Sequence, residues 1–426
     1  MIPLLAVFLI MLLLKSSALL PFALPGQTTS IALGFILVFA YLMGSNLKRL
    51  SLPQITGFIL AGIVCGPFVF NFISESDVND LQLLDGLALS LIALTAGGEM
   101  KLGKLKGHLK TIVSIVFFQT ILVLAGFIFL GLVGQYFIPF FGGMNFIQLF
   151  AFSLLLGTLM TPTSPATTIA VITETRSAGR YTDLILSAAV VKDFFIIVLF
   201  SFSLSFAKSS IGPSYDFDMT FLLRILSEIG GSVFIGIIVG GGIILYLKFI
   251  KKDITIFILS IAFFSYQISH NYGFHPLLIC LIAGFLAENF SAQGQHLINA
   301  IEKSSVPVYI VFFAMSGASL DISALRRMWL LALVCVALRG LLKFSGTFIG
   351  TSLTREEKGI RRWAWTGFIS QAGVALGMAI VIQNNFHDWG TEFLTLVLAI
   401  IAINQIIGPV FLQKLLIKAK EAGKKN

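Results

Sequence analysis

Residues 161–193 read TPTSPATTIAVITETRSAGRYTDLILSAAVVKD. A hydroxyl-rich stretch holding two prolines interrupts one apolar segment, and the next apolar segment carries Lys192 and Asp193 near its middle. Pro162 and Pro165 remove backbone donors, so a helix broken there releases carbonyls that need other partners. A charge at the centre of a bilayer costs at least ~2.5 kcal/mol on insertion scales, which makes such residues markers of ion pathways. Polar backbone and ionisable side chains therefore meet where the surrounding chain is apolar.

That surrounding chain fixes the class. Apolar residues are 57% of the total and charged residues 12%, the mean hydropathy is +0.95, and apolar runs near the ~20 residues needed to cross the hydrocarbon recur throughout. The protein reads as an all-α polytopic membrane protein. Spans are expected at 31–47, 54–72, 82–100, 109–134, 147–173, 181–207, 220–249, 253–270, 273–291, 303–319, 328–351, 361–383 and 391–417. The segment at 1–22 reads either as an extra first helix or as a cleaved signal peptide. The net charge of +9 sits in short loops on alternate sides, at Lys48-Arg49, Lys101/Lys104/Lys106/Lys110, Arg176/Arg180, Lys248/Lys251/Lys252, Arg355/Lys358/Arg361/Arg362 and the tail. These loops and the C-terminus are expected on the cytoplasmic side of a plasma (inner) membrane, with Arg326-Arg327 as the one discordant pair. No basic-aromatic groove pattern accompanies them, so nucleic acid is excluded as a partner.

A second polar break, SQAGVALG at 370–377, lies about two hundred residues after TPTSPATT. Interrupted helices in corresponding places of two halves point to a transport site, because freed backbone groups and half-helix dipoles can hold an ion. Asp193 is the carboxylate placed deepest, and a carboxylate binds either a proton or a hard monovalent cation. Thr163 and Ser164 offer neutral oxygens of the kind hard cations accept. Lys192 projects ~100° away from Asp193 around the helix. Arg339 and Lys343, four apart on one helical face, are candidate charge partners for Asp193. Plainer readings stand beside these: a salt-bridged structural Asp193, a self-satisfied kink at TPTSPATT, and close packing of small residues at SQAGVALG. The histidines at 108, 270, 275, 296 and 387 read as interfacial, and Glu75, Asp77 and Asp80 as a solvated outer loop. Cys65, Cys280 and Cys335 stand alone without CxxC spacing, so neither a zinc site nor a disulfide framework is indicated. No nucleophile-base constellation or phosphate loop is present; an enzyme and a cofactor are not expected.

KRLSLPQITGFILAGIVCGP at 48–67 resembles the second-helix signature of the monovalent cation:proton antiporter superfamily, in its potassium-efflux and bacterial sodium/proton branch. ALTAGGEM at 93–100, HPLLICLIAGFLAEN at 275–289, PVYIVFFAMSGASLDI at 307–322 and Lys343-Phe-Ser-Gly346 with Gly350 resemble further elements of that superfamily, in order. The resemblance, spanning about 31–417, implies a thirteen-helix core with inverted repeats. It implies a homodimer with a dimerisation bundle and an ion-translocating bundle, and two interrupted helices crossing at Thr161-Pro162-Pro165 and at Gln371-Gly373-Gly377. It makes Asp193 the carrier of protons and of sodium, potassium or lithium, and Lys343 the basic residue behind it. Where relatives carry Asp-Asp or Asn-Asp, this chain has Lys192-Asp193, so one carboxylate is missing and electroneutral one-for-one exchange is expected. Residues 418–426 read as a short cytoplasmic tail, and no appended nucleotide-binding domain is expected. Two rival functions remain open on the same scaffold: an anion or organic-acid transporter, and a non-transporting sensor.

Overall fold

The computed structural model describes residues 2–16, 27–100, 102–137, 144–211, 219–250, 253–291, 294–320, 322–371, 373–386 and 388–424. Residues 17–22 of the first segment, Lys101, Lys251, Lys252, Asp321, Ala372 and His387 lie outside the described residues. So do the side chains of Glu75, Asp80, Lys104, Lys106, His270, His296, Arg326 and Arg327.

Every regular element among the described residues is helical. The first half runs α1 (Ile2–Ser16), α2 (Gln27–Arg49), α3 (Gln54–Cys65), α4 (Glu75–Asp80), α5 (Gln82–Glu99), α6 (Leu102–Gly134), α7 (Phe146–Met160), α8 (Pro165–Thr175) and α9 (Arg180–Ile211). The second half runs α10 (Met219–Phe249), α11 (Ile254–Tyr272), α12 (Pro276–Phe290), α13 (Gly294–Ala318), α14 (Ile322–Leu353), α15 (Lys358–Trp363), a 3-10 turn (Ala364–Phe368), α16 (Gly373–Asn385) and α17 (Gly390–Lys418). Seven helical stretches are long and apolar enough to cross a membrane, and shorter apolar helices run between them. Large apolar side chains such as Phe129, Phe234, Phe264 and Leu341 stand exposed on the outside of the assembly. Helices with apolar exteriors and internally satisfied backbones are what a bilayer demands, and the protein is a multi-pass membrane protein.

Two packed groups make up the body. α6, α7, α9, α14, α16 and α17 pack on one another, while α2, α3, α5, α10, α11, α12 and α13 form the other group; α8 belongs with the first and meets the second through α5 and α3. Glycines allow the close approaches. A Cβ on Gly62 would collide with the Ala314 carbonyl oxygen, and one on Gly317 with that of Ile59. Gly97 and Gly284 stand in the same reciprocal relation to the carbonyls of Leu281 and Leu94, and Asn289 ties the second pair by donating to Met100 O at 2.9 Å and accepting from Leu102 N at 2.7 Å. Four of the motifs that carry the family resemblance thus meet as two helix-on-helix contacts, α3 on α13 and α5 on α12, of the small-residue kind that membrane helices use.

The tail is tied down. Glu421 accepts from the backbone N–H of Tyr181 (2.8 Å) and Thr182 (2.9 Å) at the first turn of α9, and Gly423 N donates to Thr175 O at 2.9 Å. A carboxylate at a helix N-terminus satisfies orphan donors and opposes the helix dipole.

Candidate functional site: two crossed helix breaks beside a carboxylate

α7 stops at Met160 because Pro162 cannot continue its hydrogen-bond ladder. Ser164 then caps α8, its Oγ accepting from Thr167 N at 3.1 Å, with Pro165 in the first turn, where its missing donor costs nothing. The second break follows the 3-10 turn at Ile369–Gln371. The two breaks touch directly: Ser164 N donates to Ser370 O at 3.0 Å, Thr163 Oγ1 to Phe368 O at 3.2 Å, and Gln371 Nε2 to Leu159 O at 2.7 Å. Gly408 of α17 lets Ser370 approach, since a Cβ there would collide with the Ser370 backbone. Asn404 of α17 donates to Gln371 Oε1 at 3.0 Å.

Breaking two helices leaves carbonyls without partners, and α14 supplies donors for them. Arg339 bonds Met160 O (2.8 Å), Pro162 O (2.7 Å) and Ile369 O (2.6 Å). Lys343, one turn on, reaches Thr161 O (3.1 Å), Pro162 O (3.1 Å), Thr163 Oγ1 (2.9 Å) and Phe368 O (2.8 Å). Both side chains are buried. Positive charge at the carbonyl ends of two helices is favourable, so the pair pins the crossing from behind.

Lys192 joins that polar layer from α9. Its ammonium donates to Gln119 Oε1 of α6, lies 3.4 Å from Thr163 Oγ1, and sits 4.6 Å from the centre of the Phe368 ring. Gln119 in turn donates to Thr347 Oγ1 at 2.6 Å. Asp193 faces elsewhere. It lines a cavity of about 750 Å³ with Pro165, Gly377, Ala96, Leu281, Glu228 and His275, and its Oδ1 is buried without a hydrogen-bond partner. Among the described residues, no lysine, arginine or histidine nitrogen lies within 4.0 Å of its carboxylate.

The structure therefore sorts the residues singled out from the sequence. Asp193, Pro165 and Gly377 share the cavity; Gly377 has open space where a Cβ would be, and Gly373 opens α16. Thr161, Pro162, Thr163 and Ser164 give their oxygens to the crossing, to Lys343 and to the cap of α8. Arg339, Lys343 and Lys192 bond the breaks and Gln119; none forms an ion pair with Asp193. Sequence reasoning passed over Gln119, Phe368 and Asn404, which complete the crossing. It also passed over Glu228, a second carboxylate on the cavity wall whose Oε2 lies 4.0 Å from His275 Nε2. Gln119 was visible as a lone amide in the apolar run VFFQTIL and Asn404 as one of an adjacent amide pair with Gln405 in AIIAINQ; Glu228 sits inside an apolar stretch as Asp193 does.

Interrupted helices crossing at their breaks, with an unpaired carboxylate in the adjoining cavity of an apolar bundle, define the crossed-helix class of membrane carriers. The chain belongs to the sodium/hydrogen exchanger family: the description "Sodium/hydrogen exchanger, transmembrane" matches residues 34–418. It is 25% identical over 323 residues to the probable Na(+)/H(+) antiporter 3 of Methanocaldococcus jannaschii, covering 74% of this chain and 78% of that protein. It is 24% identical to the Na(+)/H(+)-K(+) antiporter GerN of Bacillus cereus, covering 82% and 86%. The solved structure of the sodium proton antiporter MjNhaP1 from M. jannaschii at pH 8 superposes with a TM-score of 0.67 at 17% identity, covering 92% of this chain and 97% of that one. That likeness shows a shared fold.

Proposed function

We propose that this protein exchanges a monovalent cation, sodium or potassium, for a proton, with Asp193 as the group both ligands occupy in turn. One observation carries the reading: Asp193 has an oxygen without a partner and faces a cavity, next to the point where two broken helices cross. A proton or a hard cation satisfies such an oxygen, and each excludes the other. With Asp193 as the one group that alternates between the two ligands and no second acid beside it in the chain, one cation replaces one proton and the cycle is electroneutral. Sodium is favoured by the family and by most named relatives, and potassium is named for GerN.

The group of α6–α9 and α14–α17 holds the crossing and is the natural moving body. The group of α2, α3, α5 and α10–α13 is then the scaffold and the dimer partner surface. Basic loops set the C-terminus in the cytoplasm of an inner membrane. The anion reading loses support here, because Arg339 and Lys343 donate to carbonyls and Lys192 to Gln119, so that none of these three cations lines the cavity of Asp193.

The test is proton movement into sealed proteoliposomes driven by sodium, potassium or lithium, followed with an internal pH dye. Wild type should exchange equally with and without a clamped potential, and Asp193→Asn should not exchange. Undiminished exchange by Asp193→Asn removes the reading.

A further inference from the structure

A second cavity, of about 570 Å³, lies between α14, the 3-10 turn and α17 and shares no lining residue with the cavity of Asp193. Its walls are the small and apolar faces of α14 at Ala337, Gly340 and Phe344 and of α17 at Ile407 and Phe411. Trp365 forms its floor, 5.9 Å from Phe344 and 6.4 Å from Phe411 between ring centres. Leu341 and Phe411 on its rim are exposed. It opens on the apolar exterior of the bundle, where a bilayer supplies acyl chains and no water.

One end of this groove is basic. Arg362 and Trp363 line it; the Arg362 guanidinium carbon lies 5.3 Å and the Lys418 ammonium 3.4 Å from the Trp363 ring centre. Phe411, Lys414 and Lys418 follow at spacings of three and four along α17, so apolar wall and ammonium groups share one helical face. A tryptophan flanked by cations at the end of an acyl-sized slot is the chemistry of the headgroup boundary, where basic residues attract anionic lipid.

We propose that this groove is a binding site for an anionic phospholipid, one acyl chain lying against Gly340 and Trp365 and the phosphate held by Arg362 and Lys418. The occupant is a membrane lipid and not free phosphate, because apolar side chains make up most of the groove, the Arg339 guanidinium on its inner wall is engaged by three carbonyls, and Arg362 and Lys418 stand exposed at its mouth. Arg339, which bonds three carbonyls of the crossing, lines the inner wall, so the lipid packs against the back of the transport site. The assignment does not depend on what the protein transports.

The experiment is thermal unfolding of delipidated protein in detergent with added phosphatidylglycerol or phosphatidylcholine of matched chains, or with inorganic phosphate. Phosphatidylglycerol should raise the melting temperature of wild type by several degrees more than phosphatidylcholine, and phosphate should not. Arg362→Gln/Lys418→Gln, at two exposed positions, should melt as wild type does in phosphatidylcholine and lose the increment. Gly340→Leu should lose it as well, since a Cβ there meets only Trp365, at 3.8 Å, and the longer side chain fills the groove. Mass spectrometry of the gently purified protein should find phospholipid retained by wild type and lost from the double variant. Equal shifts with both lipids, an increment retained by either variant, or a full shift with phosphate alone would overturn the proposal.

Discussion

Lys192 and Asp193 are neighbours in the chain that serve different sides of α9. The ammonium is drawn into the polar layer behind the crossing, on Gln119 and the Phe368 ring, while the carboxylate lines the cavity in front. The ~100° turn between consecutive helical residues separates them. Lys192 therefore contributes to the crossing's hydrogen bonds and forms no ion pair with the carboxylate beside it in the chain.

Restoring an acid at this position tests what the lysine does. Lys192→Asp places a second carboxylate in the polar layer, facing Gln119 and Thr163. If charge count sets stoichiometry, exchange by the variant should become sensitive to membrane potential, whereas exchange by wild type should be insensitive. Flux under a clamped potential reads the difference directly.

Lys343→Met should lower both stability and exchange. The ammonium serves three carbonyls and one hydroxyl, and each buried polar group left unpaired costs ~1–3 kcal/mol. Pro162 O keeps Arg339 and Phe368 O keeps Thr163, so the loss should sit at the low end of the sum. Arg339→Lys should be worse than its conserved charge suggests, because three carbonyls in three directions match a guanidinium fork and not a point charge. Melting temperature and the fraction of monodisperse protein measure both effects.

The architecture was largely legible in the sequence because its determinants are local. Apolar run length gives the helical, membrane-spanning class, and Pro162 and Pro165 give the first break. The second break carries no proline; its polar SQAG stood out only against an apolar background. The network was not legible, because it depends on which helices cross. Arg339 lies 177 residues from Pro162 in the chain, and nothing in either segment states that they touch. For the same reason Arg339 and Lys343 read as partners for the nearest conspicuous acid, when five carbonyl groups released by two helix breaks claimed them first. The glycine motifs were legible as a family likeness, and their physical meaning emerged only when Gly62 met Ala314 and Gly97 met Leu281.

Gly284→Val should damage the protein without touching the site. The new Cβ collides with the Leu94 carbonyl across α5 and α12, backbone that cannot move aside as a side chain would. Yield of folded protein should fall steeply, and whatever folds should keep the wild-type KM for the transported cation. A raised KM with normal yield would show that this contact shapes the site as well as the scaffold.

Glu228 shares the cavity wall with Asp193 and adds negative charge along the approach. A charged, low-dielectric cleft concentrates counter-ions, with rate effects of ~10-fold upward that fade as salt rises. Glu228→Gln should therefore raise the apparent KM for the cation at low ionic strength and converge on wild type at high ionic strength, with little change in the maximal rate. A loss of maximal rate that salt does not reverse would make Glu228 part of the exchange step.

The pH dependence follows from two ligands meeting at one oxygen. When pH is lowered equally on both sides, more Asp193 carboxyls hold a proton, and a cation must displace it to bind. The apparent KM for sodium or potassium should rise in proportion to proton concentration in the acid range, while the rate at saturating cation stays level until proton release limits the cycle. At the alkaline end the cation binds freely but protons are scarce for the return step, so the maximal rate falls. Activity at a fixed cation concentration thus passes through a maximum, and adding cation should move that maximum toward lower pH, because more cation outcompetes the proton. Initial rates across pH at several cation concentrations test this. A maximum that stays fixed as cation is raised would mean that proton and cation bind separate groups, and that Asp193 is not the point of competition.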